Sequence, residues 1–353
     1  MSAFFRRNKS IVGLDLGSQA IKAIEISMEG PEPVITGFAR IEASPDGERA
    51  DAIQQVVQRG RFRSKNTVTS VSGQSVVVRY IQMVEMSDSE LRQAIRFESD
   101  KYLPFDPDEV VLDCQRLRRR LGGNGDGGEG NSDQMNVVLA ACRISEIQDR
   151  LGQVVSHGMQ PIAVDVDVFA LANAWELCGL SEGDFGIEDE RVIALVDIGA
   201  SRTQINVLAG GETCFSREIG IGGADMTQAI SRRLGLEIFE AEAIKREPGE
   251  RETEVARTIH PVLEDLVSEI SLSLDYVENR EGLGVEEVLL SGGGILAPGA
   301  VTFIEQATGR TARTWNPLDG LRVAADRVDV EELEANAQSL AVAIGLASRV
   351  RAA

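Results

Sequence analysis

One short pattern occurs twice in the chain, once near its start and once past its middle. Residues 11–26 are IVGLDLGSQAIKAIEI, and residues 192–208 are VIALVDIGASRTQINVL. In each copy an apolar run ends in aspartate, a turn with glycine follows, and a second apolar run returns, which is typical of a β-hairpin. A repeated unit of this kind predicts two related domains that each begin with the same hairpin.

Length and charge limit the classes of function. The 353 residues suit two or three domains, and the net charge of −20 opposes electrostatic binding to nucleic acid. We therefore expect no nucleic-acid partner. No run of about 18 apolar residues is present, and no apolar segment follows the opening MSAFFRRNKS. These observations predict a cytoplasmic chain with a flexible tail at 1–10.

The segment between the two copies has a different character. Residues 68–86 have the composition of strands, and Ser87 with Glu90 forms a capping box for a helix that we expect to end at Pro104. Residues 122–134 contain no apolar side chain until the strand-like run that follows, and they are rich in glycine. We interpret 122–134 as a mobile loop that joins two neighbouring strands.

The second half alternates helices with one buried strand. We expect two helices in 223–247, an amphipathic helix at 262–278, a strand within 285–294 and a last helix at 337–350. Gly345 lies inside that last helix, where a close approach of another helix or of a ligand would require it. Helices and strands in this order indicate an α/β fold.

Three turns with glycine each follow an apolar strand. They are Gly17-Ser18, Gly199-Ala200-Ser201 and Gly292-Gly293-Gly294. Glycine lets backbone N–H groups converge on an anion, so two facing hairpins and a third turn predict a nucleotide-binding cleft. Asp15 and Asp197 end their strands, and two carboxylates at that place suit a hydrated Mg²⁺. The chain has no GxxxxGK[ST] motif, which excludes a P-loop.

Three charged side chains remain open to two interpretations. Lys22 is placed either to contact phosphate or to face solvent from its strand. Glu242 and Lys245 are three residues apart on one helix face, a spacing that an ordinary surface ion pair also has.

DLGSQAIK, DIGASRT and SGGGILAPG, in this order, resemble the phosphate-1, phosphate-2 and adenosine motifs of the actin-like ATPase superfamily. The resemblance implies ATP, with Mg²⁺, in a cleft between two lobes. It also implies that Glu242 and Lys245 lie near the ribose or adenine and that AVAIGLAS at 341–348 is a connecting helix. The nucleotide-binding residues that it implies are Asp15, Gly17, Ser18, Gln19, Lys22, Asp197, Gly199, Ala200, Ser201, Thr203, Glu242, Lys245, Gly292, Gly293 and Gly294.

A second resemblance covers nearly the whole chain. AIRFESDKYLPFDPDEVVLDCQRL, MNVVLAACR and GMQPIAVDVDVFALANA resemble the PilM family of type IV pilus assembly proteins. This implies an inserted subdomain like that of the cell-division protein FtsA. The bounds that we expect are 77–160 for the inserted subdomain, 11–76 with 161–195 and 337–353 for the first actin-like lobe, and 196–336 for the second.

The PilM resemblance also implies partners. They are the N-terminal cytoplasmic peptide of a PilN-like inner-membrane protein, held in a groove beside the inserted subdomain, and the motor ATPases or platform protein of the pilus. FtsA has a C-terminal tail with a membrane helix, and we expect membrane association here to be indirect, through such partners. The implied function is an ATP-binding cytoplasmic scaffold of the type IV pilus machine that links the inner-membrane complex to the pilus motor. Because the sequence shows no residue clearly placed to activate water, we expect slow hydrolysis at most.

Two other functions compete with this one. Sugar kinases share the actin-like core, so a phosphotransferase is the first alternative, and it would need a general base. Asp165 and Asp167 are the candidates for that base, although their alternation with valines also fits a half-exposed strand. The second alternative is a secretion-system platform protein that has lost nucleotide binding, against which the intact Asp15, Asp197 and SGGG argue.

Overall fold

A computed structural model describes residues 10–28, 32–43, 49–118, 134–179 and 191–351. The predicted tail at 1–10, apart from Ser10, lies outside these residues. The predicted loop at 122–134, apart from Gln134, lies outside them as well.

The described residues form strands and helices in mixed order. The strands are β1 (Ser10–Leu16), β2 (Ala20–Ser27), β3 (Val34–Glu42), β4 (Asn66–Val71), β5 (Val76–Val84), β6 (Val110–Arg116), β7 (Gln134–Arg143), β8 (Gln160–Val166), β9 (Val192–Ile198), β10 (Thr203–Ala209), β11 (Glu212–Ile219), β12 (Glu287–Ser291), β13 (Thr311–Thr314) and β14 (Arg322–Val323). The α-helices are α1 (Arg49–Gly60), α2 (Asp88–Glu98), α3 (Ile144–Ser156), α4 (Asp167–Gly179), α5 (Gly223–Leu234), α6 (Ile238–Arg246), α7 (Glu252–Glu281), α8 (Ala300–Thr308), α9 (Val330–Ala335) and α10 (Ala341–Ala347).

Two large sheets share one topology. The first sheet has the order β14-β3-β2-β1-β4-β8 and the second has β11-β10-β9-β12-β13. In each, three antiparallel strands from the hairpin region are followed by parallel strands, β4 and β8 in the first and β12 and β13 in the second. The repeated hairpin of the sequence is therefore the start of a repeated sheet, and the predicted duplicated α/β fold is confirmed.

A small sheet is inserted between β4 and β8. Its order is β5-β7-β6, and α2 packs on one face through Leu91 and Ile95. The capping box is present as predicted, since the Ser87 side chain accepts from the Glu90 backbone and the Glu90 carboxylate accepts from Ser87. Strands β6 and β7, which flank the predicted loop, are antiparallel neighbours.

Helices α4 and α10 lie between the two large sheets. Their residues share a core with strands of both sheets, including Ile24 of β2 and Leu195 of β9. At the crossing, a Cβ added to Gly345 would lie 1.7 Å from the carbonyl oxygen of Ala170. Gly345 therefore serves the approach of two helices, which was one of the two expected reasons for it.

Three features differ from the sequence expectations. The predicted helix at 262–278 begins at Glu252, because the backbone stays helical through Pro261. Helix α2 ends at Glu98 and a 3₁₀ turn follows, so Pro104 lies beyond the helix instead of ending it. Strand β14 lies within 196–336 yet pairs with β3 of the first sheet.

Among the described residues, no helix is both long enough and apolar enough to cross a membrane.

Candidate functional site

A cleft of about 510 Å³ opens where the strands of both large sheets end. It is lined by the turn after β1, the turn after β9 and the residues after β12, with side chains of α4 and α6. Ligands of open α/β sheets bind at the carboxyl ends of strands, so this is the place where a site is expected. The volume is within the usual range for small-molecule sites.

The first hairpin turn, residues 17–19, joins β1 to β2. Asp15 and Lys22 are paired across the two strands, and Lys22 Nζ lies 2.5 Å from Asp15 Oδ2. Burial alone would lower the pKa of Lys22, but the Asp15 carboxylate outweighs burial and raises it. Lys22 is thus a cation of the cleft wall, with side-chain exposure of 16%, and does not face bulk solvent.

The second hairpin turn, residues 199–202, joins β9 to β10 and is braced by α5. Gly223 N donates to Gly199 O at 2.9 Å, and Ala224 N donates to Ala200 O at 2.8 Å. Asp197 precedes the turn and accepts a 2.8 Å hydrogen bond from Ser291 Oγ. Burial raises the pKa of Asp197, and the Ser291 hydrogen bond partly offsets this.

The glycine turn, Gly292–Gly294, passes close to the end of β9. Gly292 has a φ of +92°, and a Cβ there would lie 2.3 Å from Ile198 O. A Cβ on Gly294 would lie 2.5 Å from Ile198 Cγ2. These two positions therefore require glycine for the close approach to β9. Since Gly293 also has no side chain, the turn lines the cleft with backbone alone.

The structure brings most of the predicted site residues into one cleft. Those that line it are Asp15, Gly17, Ser18, Gln19, Lys22, Asp197, Gly199, Ala200, Ser201, Glu242, Lys245, Gly292, Gly293 and Gly294. Thr203 is the exception, because it is fully buried in β10 and its Oγ1 donates to Ile221 O at 2.8 Å. Its hydroxyl is used to hold β10, not to line the cleft.

Glu242 and Lys245 are held tightly to α5. Lys245 Nζ lies 2.8 Å from Gly223 O, 2.7 Å from Thr227 Oγ1 and 2.7 Å from Glu242 Oε2. Those three contacts use all three ammonium donors. Burial opposes ionisation of Glu242, but Lys245 outweighs it and lowers the pKa of Glu242 to about 2. The pair is therefore a buried brace of the cleft wall, unlike a surface ion pair.

Asp165 and Asp167 face different surroundings. Asp165 is buried and its Oδ2 accepts from Arg349 Nη2 at 2.6 Å and Nε at 3.0 Å. Asp167, the first residue of α4, lines the cleft and is hydrogen-bonded by Ser70 and Ser72. Burial, with a smaller part from Asp15, raises the pKa of Asp167 to about 6. Only Asp167 is placed to act on a bound molecule.

The family model described as type IV pilus assembly protein PilM matches residues 13–351. The chain belongs to the PilM family. A solved structure titled PilM-PilN type IV pilus biogenesis complex superposes with a TM-score of 0.83 at 30% identity, covering 98% of this chain and 99% of that one.

More distant relatives share the fold of this PilM-family chain. EutJ, the ethanolamine utilization protein of Escherichia coli K12, is 26% identical over 181 residues, which are 48% of this chain and 61% of EutJ. The match thus spans about three fifths of that relative's length. MreB5 of Spiroplasma citri, solved bound to ADP, superposes with a TM-score of 0.51 at 10% identity, covering 96% of this chain and 95% of that one. The predicted actin-like ATPase fold is therefore confirmed.

Several cleft residues of this PilM-family chain were missed by sequence reasoning. They are Arg40, Arg49, Ser70, Ser72, Arg150, Arg202 and Arg246. Ser70 and Ser72 could have been found, since they lie at the end of β4 just as Asp15 and Asp197 lie at the ends of β1 and β9. The arginines carry no local signal, because they come from separate helices and strands that only the fold brings together.

Asp167 gives a prediction for stability against pH. Its native pKa of about 6 lies above the ordinary value near 4, so the native state keeps its proton while the unfolded state loses it. Stability from this group falls as the pH rises from about 4 to about 6 and then stays low. We expect Asp167→Asn to be more stable than the wild type at pH 7.5, on the order of 1–3 kcal/mol.

Urea unfolding at pH 4.5 and pH 7.5 measures this effect. The stability difference between Asp167→Asn and the wild type should be larger at pH 7.5. An equal difference at both pH values would show that the native Asp167 carboxyl titrates normally.

Proposed function

We propose that the chain binds ATP with Mg²⁺ in the cleft and works as a nucleotide-dependent scaffold of type IV pilus assembly. The observation that carries the proposal is the placement of two matched hairpin turns and a glycine turn around one cleft. We further propose that it binds the cytoplasmic N-terminal peptide of a PilN-like inner-membrane protein, and through it associates with the membrane and the pilus motor.

The cleft has the features that a nucleotide requires. Residues 17–19 and 199–201 of the two hairpin turns line the cleft, and Lys22 adds a positive charge. The Gly199 N–H already donates to Arg202 O at 2.9 Å, so phosphates would be bound by the other backbone N–H groups of these turns. Gly292, Gly293 and Gly294 all line the cleft and carry no side chains, so this turn leaves room for an adenosine against its backbone. The residues present therefore fit a nucleotide, with phosphates at the hairpin turns and adenosine at the glycine turn.

Three carboxylates fit a cation held through water. Asp15, Asp167 and Asp197 all line the cleft, and burial raises the pKa of the last two. A cation among them would offset that cost of burial. No group of three His, Cys, Asp or Glu side chains in the described part of the chain is close enough to bind a metal directly. Mg²⁺ usually keeps several waters and bridges phosphates, so we propose that these carboxylates hold it through water.

The partner is proposed from the structural match. The PilM–PilN complex structure resembles this chain over nearly its full length at 30% identity. The small inserted sheet contacts the second large sheet directly, because Tyr80 Oη of β5 lies 3.1 Å from Ser216 Oγ of β11. The small sheet also follows β4 of the first large sheet directly in the chain, so it is connected to both halves. A change in the cleft can therefore alter how the small sheet binds a partner.

A role in catalysis is the weaker alternative. Asp165 is bound to Arg349, so the phosphotransferase hypothesis retains only Asp167 as a general base. We propose hydrolysis that is slow at most, well below the ~10 s⁻¹ that is the median for enzymes.

Coupling between nucleotide and partner is the expected consequence of a scaffold role. A synthetic PilN N-terminal peptide should bind with a different affinity when saturating Mg-ATP is present, and ATP affinity must then change by the same factor. We expect a change of about fivefold or more, measured by calorimetry. A scrambled peptide is the control. Equal peptide affinities with and without Mg-ATP would contradict the nucleotide-dependent part of the proposal.

An ion pair at the rim of the cleft joins the two halves. Arg246 Nη1 of α6 lies 2.6 Å from Glu42 Oε1 of β3, and both side chains are about half exposed. Exposed pairs contribute about 0.2–1 kcal/mol.

We expect Glu42→Ala to speed nucleotide release about two- to fivefold, measured by stopped flow with a fluorescent ATP analogue. Glu250→Ala, an exposed carboxylate of the second half, is the control. An unchanged release rate in Glu42→Ala would exclude a role of this pair in keeping the cleft closed.

A further inference from the structure

Two arginines line the cleft beside the first hairpin turn. Arg49 is the first residue of α1, and Arg150 lies on α3, which continues directly from β7 of the small sheet. Neither belongs to a motif that the sequence analysis identified. They come from different parts of the chain and meet at the backbone of one turn.

The contacts of these arginines with the turn are few. Arg49 donates to the carbonyls of Leu16 and Gly17, the latter at 3.0 Å. Arg150 Nη1 reaches Leu16 O only at 3.5 Å, and its Nη2 lies 3.3 Å from Glu146 Oε1. The Nε atoms of both side chains are buried and have no hydrogen-bond partner among the described residues. Both guanidinium groups thus retain donor capacity that the described part of the chain does not use.

The two positive charges also act on each other. Burial, and next the charge of Arg150, lower the pKa of Arg49. Of the carboxylates whose charge acts on Arg49, Asp15 is paired with Lys22, and Glu146 is paired with Arg150 at 3.3 Å, so neither serves Arg49 alone. Two under-bonded cations side by side at a cleft wall are an arrangement that a bound anion would stabilise.

We propose that Arg49 and Arg150 bind the terminal phosphate of a nucleoside triphosphate and so distinguish it from a diphosphate. The inference rests on the proposed function, in which the first hairpin turn holds phosphates. The planar guanidinium matches phosphate oxygens in a bidentate manner, whereas an ammonium is a point charge. The hydrogen bonds of Arg150 within the protein are longer than those of Arg49, so a bound phosphate should add more to the interactions of Arg150.

The competing role is a structural one, in which the arginines only hold the carbonyls of the turn. A variant of Arg150 would then weaken ATP and ADP binding by the same factor. Under the proposal, the loss is confined to the ligand that carries the third phosphate.

Calorimetric titrations of Mg-ATP and Mg-ADP separate the two roles. For Arg150→Gln we expect about a tenfold loss of ATP affinity, with ADP affinity within about twofold of the wild type. Arg150→Lys, which keeps the charge, should lose less. Arg59→Gln changes the net charge equally from the far end of α1, where Arg59 is paired with Glu332, and should change neither affinity. Equal losses for ATP and ADP, or no loss for either, would overturn the inference.

Tripolyphosphate gives a readout that does not depend on nucleotide recognition. We expect it to raise the unfolding temperature of the wild type and of Arg59→Gln, but not of Arg150→Gln. If the wild type binds no nucleotide yet shows this pattern with tripolyphosphate, the proposed function fails and the arginine site stands. If nucleotide binds but the ATP-to-ADP ratio is unchanged in Arg150→Gln, the arginine site fails and the proposed function stands. If neither nucleotide nor tripolyphosphate binds the wild type, both fail.

Discussion

Replacing Gly345 by alanine is expected to destabilise the protein by several kcal/mol, about 3 or more. A Cβ at this position would lie 1.7 Å from Ala170 O and 2.5 Å from the carbonyl carbon. Those are backbone atoms of α4, so no side-chain rotation can remove the collision. Helix α10 is buried along its whole length, and it cannot move outward without opening the core between the two large sheets.

Gly152 provides a matched control for this prediction. It also lies inside a helix, α3, and a Cβ there would meet nothing within 4 Å. Gly152→Ala should therefore be neutral or gain up to about 1 kcal/mol from helix propensity. Urea unfolding of both variants measures the difference. A Gly345→Ala variant as stable as the wild type would mean that α4 and α10 do not cross as described.

The second large effect is expected on ligand binding. Asp197→Ala should lower Mg-ATP affinity about tenfold or more without unfolding the protein. The carboxylate lies in the cleft, where burial disfavours its charge, and the proposed Mg²⁺ would offset that cost. Asp197→Asn should give the same loss while it keeps the hydrogen bond from Ser291.

Asp165→Asn is the complementary control. Asp165 is more buried than Asp197 and is paired with Arg349 away from the cleft. Because the Arg349 side chain is 45% exposed, breaking this pair costs about 1–3 kcal/mol, less than for a pair buried on both sides. We expect it to lose stability and to keep its ATP affinity. Calorimetry measures the ATP affinity of both variants, and thermal unfolding measures their stability. Unchanged ATP affinity in Asp197→Ala would remove that residue from the proposed site.

The sequence predicts those features of this fold that depend on neighbours in the chain. The hairpins around Asp15 and Asp197 are local patterns, and their repetition predicts two related sheets. The capping box at Ser87 is local as well. Each is determined within a few residues, so each could be predicted.

The rest depends on contacts between distant segments. Arg49 and Arg150 meet only because α1 and α3 pack beside the same turn. Thr203 is adjacent to the second hairpin turn in sequence, but the return of β10 points its hydroxyl to Ile221. Asp165 and Asp167 have similar sequence surroundings, and only the junction between β8 and α4 separates a structural carboxylate from one in the cleft.

Calorimetric titration of ATP into the purified wild-type chain, with and without Mg²⁺, tests the central claim most directly. The proposed site predicts saturable binding of one ATP per chain in the presence of Mg²⁺ and weaker binding in its absence, because the cleft carboxylates then face the phosphates without a cation between them. No detectable heat of binding at millimolar Mg-ATP would contradict this claim, and the cleft would then be a structural remnant of the actin-like fold.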